Sequence, residues 1–384
     1  MKITGLDHTL LFVPFGRPQL WAGGRRPGTT RLLVTLHTDE GILGHGETIC
    51  LLEFVRPVLE RTIAPLAIGE DPHNIERLYR KLEGAGFYHH KRALVAAFAA
   101  VELAMWDIIG KTAGKPLYQL WGGGYRKKVE TIAYLHVRPP TEMAREAARY
   151  VAQGFRTIKV KIGMDMASDI EIVKAVRQAI GPAVELRADV NGAWTPGTAR
   201  RQLAKLEPYD LQFVEQPLVH DDLKGHAELR KVSRVPICID EGAYTNTDIL
   251  NIIRAEAADV ILLDAHEAAG WWQARKQAAI AEAAGIAVGI HSGGELGLSL
   301  AANLHLAAAT PNLSLAIDSN YHDMPDDILT ERFAYDGCEL PVPEKPGLGV
   351  DIDWGKVKRY TTDRIQDAYL DRDRPEWFAT KPAY

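Results

Sequence analysis

TIKVKIGMDMASDIEIVKAVRQAIGPAVELRADVNGAW, residues 157–194, contains the unit on which the fold turns. Thr157–Ile162 is a short apolar run interrupted only by two lysines and reads as a strand. Ile170–Ile180 follows with Ile172, Val173 and Val176 at helical spacing. A second apolar run, Val184–Ala188, ends on Asp189. Strand, amphipathic helix and strand make a βα repeat, the building unit of a parallel sheet.

The alternation extends outward on both sides. Upstream lies Thr131–Tyr134; downstream lie Leu211–Val214, Val235–Ile239, Val260–Leu263, Ile286–Ile290 and Leu313–Ile317. Starts recur about every 25 residues, with helical segments such as Trp271–Ala284 between them, which is barrel spacing. A polar residue stands at or just past the end of each run from the second to the eighth: Lys161, Asp189, Glu215, Glu241, Asp264, His291 and Asp318. In a parallel barrel those positions share one rim, the end where active sites are built.

The residue types on that rim suggest a chemistry. Asp189, Glu215 and Glu241 on consecutive units would repel one another unless a cation held them, and an all-oxygen set suits Mg²⁺ rather than zinc. The bland alternative is that each acid caps the following helix. Lys159 and Lys161 lie two apart, hence on one side of their strand; two close ammonium groups lower each other's pKa and could supply a base. Solvated lysines on a surface strand are the competing reading. Asp264 and His291 end neighbouring strands, so the aspartate could accept from one imidazole nitrogen and make an acid/base dyad. A lysine and a histidine on either side of a cation-bound carboxylate could remove an α-proton and act on the opposite face.

The flanks look different. Thr30–Leu36, a turn at Asp39–Gly41 and a strand from Ile42 suggest a hairpin, and Arg92–Lys111 has a helical apolar face, so residues 1–126 read as an α+β domain. Residues 127–325 form the barrel, and 326–384, rich in Pro and Gly around 341–349, pack back on the first domain. Apolar residues make up 46% of the 384, and the net charge of −5 is not blocked into runs, which argues for a globular protein without a nucleic-acid or anionic-membrane surface. Three scattered cysteines with no CxxC pair fit a reducing compartment. No secretory signal pattern and no stretch near the ~20 apolar residues of a bilayer span is read, so a cytoplasmic enzyme with a small-molecule carboxylate substrate is expected.

Ala100–Lys111 (AVELAMWDIIGK), Pro116–Gly123 (PLYQLWGG), the Lys159/Lys161 pair, Asp189-Val190-Asn191-Gly192, Glu215-Gln216-Pro217, Asp240-Glu241 and His291 together resemble the enolase superfamily, in its mandelate racemase/muconate lactonizing enzyme branch. The likeness covers nearly the whole chain. It implies a (β/α)7β TIM-like barrel with a capping domain, Mg²⁺ on Asp189, Glu215 and Glu241, Lys161 as one base and His291 with Asp264 as the other acid/base, Lys159 accompanying them. Residues 263–267 (LDAHE) lack the second lysine of the muconate lactonizing subgroup, so the mandelate racemase subgroup fits better. Ala316-Ile317-Asp318-Ser319 lacks that racemase's glutamate and resembles sugar-acid dehydratases. The resemblance also implies capping loops near residues 14–30 and 84–92 and a homo-oligomer. Asp318, Asn191, Glu295, Trp21, Arg25 and Tyr88 are candidate substrate contacts. The expectation is dehydration of a sugar acid or related hydroxy acid. A racemase or epimerase of a 2-hydroxy or amino acid is the alternative, and a non-catalytic binding protein on the same scaffold is the alternative of another class.

Overall fold

The computed structural model describes residues 1–366 and 368. Three antiparallel strands open the chain: β1 (Ile3–Trp21), β2 (Gly24–Thr38) and β3 (Leu43–Ile49). The stretch 14–30, expected as a loop, is instead the far end of the β1–β2 hairpin, its register shifting between Pro14 and Gln19 before Trp21 pairs with Gly24. Backbone pairing carries the hairpin tip out over the barrel mouth. The helix Phe87–Ala113 lies on β3, and glycine makes the approach possible: a Cβ on Gly46 would sit 1.9 Å from the Ala100 carbonyl oxygen. That helix begins five residues earlier than the apolar face suggested, with a break at His90, and ends on left-handed Gly114. It is also a correction on length. Its most apolar window reaches a mean hydropathy of 1.8, enough by composition to cross a bilayer, yet 83% of that window is buried inside the fold.

After a short strand β4 (Lys128–Glu130), seven parallel strands pair in chain order: β5 (Ala133–Leu135), β6 (Thr157–Lys161), β7 (Glu185–Asp189), β8 (Phe213–Glu215), β9 (Ile237–Ile239), β10 (Val260–Leu263) and β11 (Ala287–Ile290). The eighth apolar run forms no ladder. It closes the ring through single parallel bridges, Leu313 to Val288 and Ile317 to Thr131. Helices such as Met166–Ile180 bury Ile172, Val173 and Val176 against the outside of the sheet. Inside, an apolar cluster of Phe213, Cys238, Val260 and Leu262 fills the lower barrel. Charged side chains occupy the layer above it. Helix Trp354–Tyr360 packs on β1, Thr361 bridges Leu11, and β12 (Glu339–Pro341) pairs with β4, so the later chain touches both units. Residues 367 and 369–384 of the C-terminal segment lie outside the described residues.

Candidate active site

Register puts the polar tips side by side. Lys161 pairs with Asp189 across β6–β7, and Asp189 pairs with Glu215 across β7–β8. Parallel strands of equal phase therefore present an ammonium and two carboxylates in one row. A cavity of 490 Å³ opens above them between the barrel mouth and the capping domain, lined by Lys161, Asn191, Asp240, Glu241 and His291. Asp189 and Glu215 form the fully buried layer beneath.

Lys159 and Lys161 differ in depth. Lys159 is fully buried, its Nζ donating to Glu215 Oε1 and Asp318 Oδ2, each at 2.6 Å, with Asp189 Oδ2 at 3.3 Å. Burial alone would lower its pKa; Asp318, Glu215, Tyr134 and Asp189 outweigh that and raise it well above the usual value. The expectation of mutually lowered lysine pKa values is corrected for Lys159: the carboxylates are closer partners than the second ammonium. It is a permanent counter-ion under the floor. Lys161 donates to Asp189 Oδ2 and to Asn191 Oδ1 at 3.2 Å, and it lines the cavity.

Asp264 Oδ2 lies 2.9 Å from His291 Nδ1, the pairing the strand spacing suggested. On the other side of the ring, Asp240 Oδ2 stands 3.5 Å from Nε2. Burial opposes protonation of the imidazole, but Asp240 and Asp264 together raise its pKa well above the ordinary value. The Asp264 carboxyl is lowered to about 2 against the cost of burial, through its contacts with His291 and His266.

The three expected metal ligands do not meet at a point. Among the described residues no group of three His, Cys, Asp or Glu side chains forms a metal-holding cluster. Asp189 and Glu215 are drawn toward the two lysines, while Glu241 Oε1 accepts from Asn191 Nδ2 at 2.8 Å; Asn191 also donates its backbone N–H to Asp189 Oδ1. Ammonium-to-carboxylate pairing thus governs this arrangement. One feature nevertheless fits a cation. Glu215 Oε2 and Glu241 Oε2, on two of the three expected ligands, are buried oxygens with no hydrogen-bond partner, a costly state for a carboxylate, and oxygen donors suit a hard divalent ion.

Of the candidate substrate contacts, Trp21 and Asn191 line the cavity and four do not. Asp318 is buried below it, bound to Lys159, Tyr134 Oη and Arg187. Glu295 folds onto its own loop, accepting from Ser292 Oγ and the Gly293 N–H. Arg25 alternates to the opposite side of β2 from Arg26, and it is Arg26 that lines the cavity. Tyr88 is 82% exposed, its ring tilted against that of His89; further along the same helix, Arg92 reaches the cavity and covers the Tyr244 ring at 4.2 Å. Sequence reasoning also missed His136, which follows the first barrel strand and would have completed the series of strand-end residues. Leu51, Leu52, Phe54 and Val55, after β3, form an apolar wall with no motif to announce them.

Residues 14–122 match the N-terminal domain of the mandelate racemase / muconate lactonizing enzyme family, and residues 142–356 match the enolase C-terminal domain-like family. An N-succinyl-L-Arg/Lys racemase of Bacillus cereus is 30% identical over 372 residues, covering 94% of this chain and 98% of the racemase. Its crystal structure superposes with a TM-score of 0.89 over 94% of this chain and 98% of that one. An arabinonate dehydratase of Saccharolobus solfataricus is 34% identical, covering 85% of this chain and 89% of the dehydratase. A dipeptide epimerase of Enterococcus faecalis, solved with Mg and the dipeptide L-Leu-L-Tyr, is 30% identical with a TM-score of 0.84, covering 91% of this chain and 100% of that one.

Proposed function

This chain belongs to the mandelate racemase / muconate lactonizing enzyme family of enolase-like enzymes, and from that premise we propose that it dehydrates a sugar acid or related hydroxy acid. The observation that carries the reading is His291 with a carboxylate facing each ring nitrogen, Asp264 at 2.9 Å and Asp240 at 3.5 Å. A carboxylate on each side favours the protonated imidazole, the form suited to give a proton away.

Bound Mg²⁺, which Asp189, Glu215 and Glu241 would hold, the last two bringing oxygens without a hydrogen-bond partner, would supply positive charge to the substrate carboxylate as negative charge builds there. Lys161, the one lysine lining the cavity among the described residues, takes the α-proton on its Nζ. The electron pair passes into the carboxylate and then returns to expel the β-hydroxyl, which leaves as water with the proton from His291 Nε2. The enol so formed tautomerises to a 2-keto acid. Lys159 and Asp318 hold Asp189 and Glu215 in place from below.

Racemisation is the second reading, favoured by the 30% identity to the Bacillus cereus racemase across nearly the full length of both chains. Lys161 and His291 would then serve opposite faces of one α-carbon. Incubating a panel of sugar acids, 2-hydroxy acids and N-acyl amino acids with enzyme and Mg²⁺ in deuterated water separates the two. Dehydration yields a keto acid that semicarbazide traps; epimerisation yields deuterated substrate and no keto acid. Exchange without keto acid across the sugar acids would overturn the dehydratase reading.

A further inference from the structure

Beneath the dyad, a buried chain of hydrogen bonds runs from the capping domain into the barrel. Arg31 on β2 donates from Nε to Glu47 Oε1 at 2.6 Å, and its Nη2 lies 2.9 Å from His266 Nε2. Thr48 on β3 donates its hydroxyl to the Ala96 carbonyl at 2.6 Å and lies 3.2 Å from His266 Nδ1. These contacts decide the tautomer. A threonine hydroxyl whose proton is already given to Ala96 can only accept, so His266 carries its proton on Nδ1. Nε2 is then bare and accepts from Arg31, whose guanidinium can only donate. Burial and Arg31 lower the His266 pKa to about 3, in keeping with a ring that stays neutral.

The ring is thus clamped at both nitrogens by the capping domain. The backbone N–H of the same residue donates to Asp264 Oδ1 at 2.7 Å, while Asp264 Oδ2 receives His291 Nδ1. Arg31, Glu47 and Thr48 are fully buried, and His266, which lines the cavity, and Asp264 are 2% and 4% exposed, so these bonds lie in surroundings of low polarity that strengthen them.

We propose that His266, held by Arg31 and Thr48, is a positioning residue for the acid/base dyad, and that the capping domain thereby sets the orientation of His291. The role rests on the reading of His291 as a proton carrier. A cap that only covered the mouth would leave the dyad to the barrel; here two of its strands take part in aiming it.

The test uses the full chain with ¹⁵N-labelled histidine in buffer containing Mg²⁺. The low-field Nδ1–H resonance of His291 is assigned by its loss in His291→Asn. Thr48→Val is isosteric and removes the acceptor for His266 Nδ1–H; Arg31→Met with Glu47→Gln removes the other clamp without stranding a charge. In either variant that keeps a cooperative unfolding transition, the His291 resonance is expected to be lost or moved upfield, and Thr48→Ser is expected to restore it. Once the panel provides a turned-over acid, kcat is expected to fall about 10-fold or more with KM nearly unchanged. A folded Thr48→Val protein with the wild-type His291 resonance overturns the proposal. Because the resonance needs no turnover, it reports on the clamp even where the proposed reaction fails.

Discussion

Lys161 and His291 face one cavity but are held by opposite logic: the lysine leans on a carboxylate and an amide, whereas the histidine is gripped by carboxylates at both nitrogens. Their replacements should separate. Lys161→Ala is expected to abolish α-proton exchange, a loss of roughly 10²–10⁴-fold, whereas His291→Asn should stop keto-acid formation and leave exchange at the lysine face measurable by NMR in deuterated water. Equal loss of exchange in both variants would contradict that division. A second prediction concerns stability. His305 is buried in helix Gly297–Ala309 with Nε2 on the Leu348 carbonyl, and burial lowers its pKa to about 4. Below pH 6.5 the unfolded chain binds a proton that the folded chain refuses until about pH 4, so this group's contribution to stability falls as pH drops through that window. Relative to His305→Gln, the wild type should lose about 3 kcal/mol between pH 7 and pH 4 in denaturant titrations.

At the level of elements, Glu102 ties the helix Phe87–Ala113 to the barrel, alongside Lys91 on Asp248. Glu102 accepts the backbone N–H groups of Trp271 and Trp272, at the start of helix Trp271–Ala283, and the Trp106 indole N–H. The free donors of a helix N-terminus and its positive end favour a carboxylate there. Gly270 makes room, since a Cβ at that position would sit 2.5 Å from the Glu102 carboxyl carbon. Glu102→Ala removes three hydrogen bonds within a buried interface and should cost about 2–4 kcal/mol in urea denaturation, with the cavity residues untouched. A variant as stable as the wild type would show that the other contacts between cap and barrel, Lys91 with Asp248 and Arg31 with His266 among them, hold the two units together without it.

For the whole molecule, the cap and barrel make one site, and the cation expected there is testable by removal. Chelation with EDTA should abolish exchange at the α-carbon, and added Mg²⁺ should restore it; exchange at an undiminished rate in the chelator would exclude the charge stabilisation proposed here. The barrel and its rim were legible in the chain because both are local and periodic. A strand of fixed phase followed by a helix of fixed phase puts each strand-end residue on one rim, so spacing alone set Lys161 beside Asp189 and Asp264 beside His291. Depth and long-range partnership were not legible. Lys159 and Lys161 look equivalent in sequence, yet two residues of rise place one under the floor among carboxylates and the other in the cavity. Asp318 reads as a rim acid but serves as the buried partner of Lys159. Only tertiary structure could bring Arg31 to His266 across 235 residues, because nothing in either neighbourhood encodes the other: the contact exists only where β2 of the cap packs against the loop after β10.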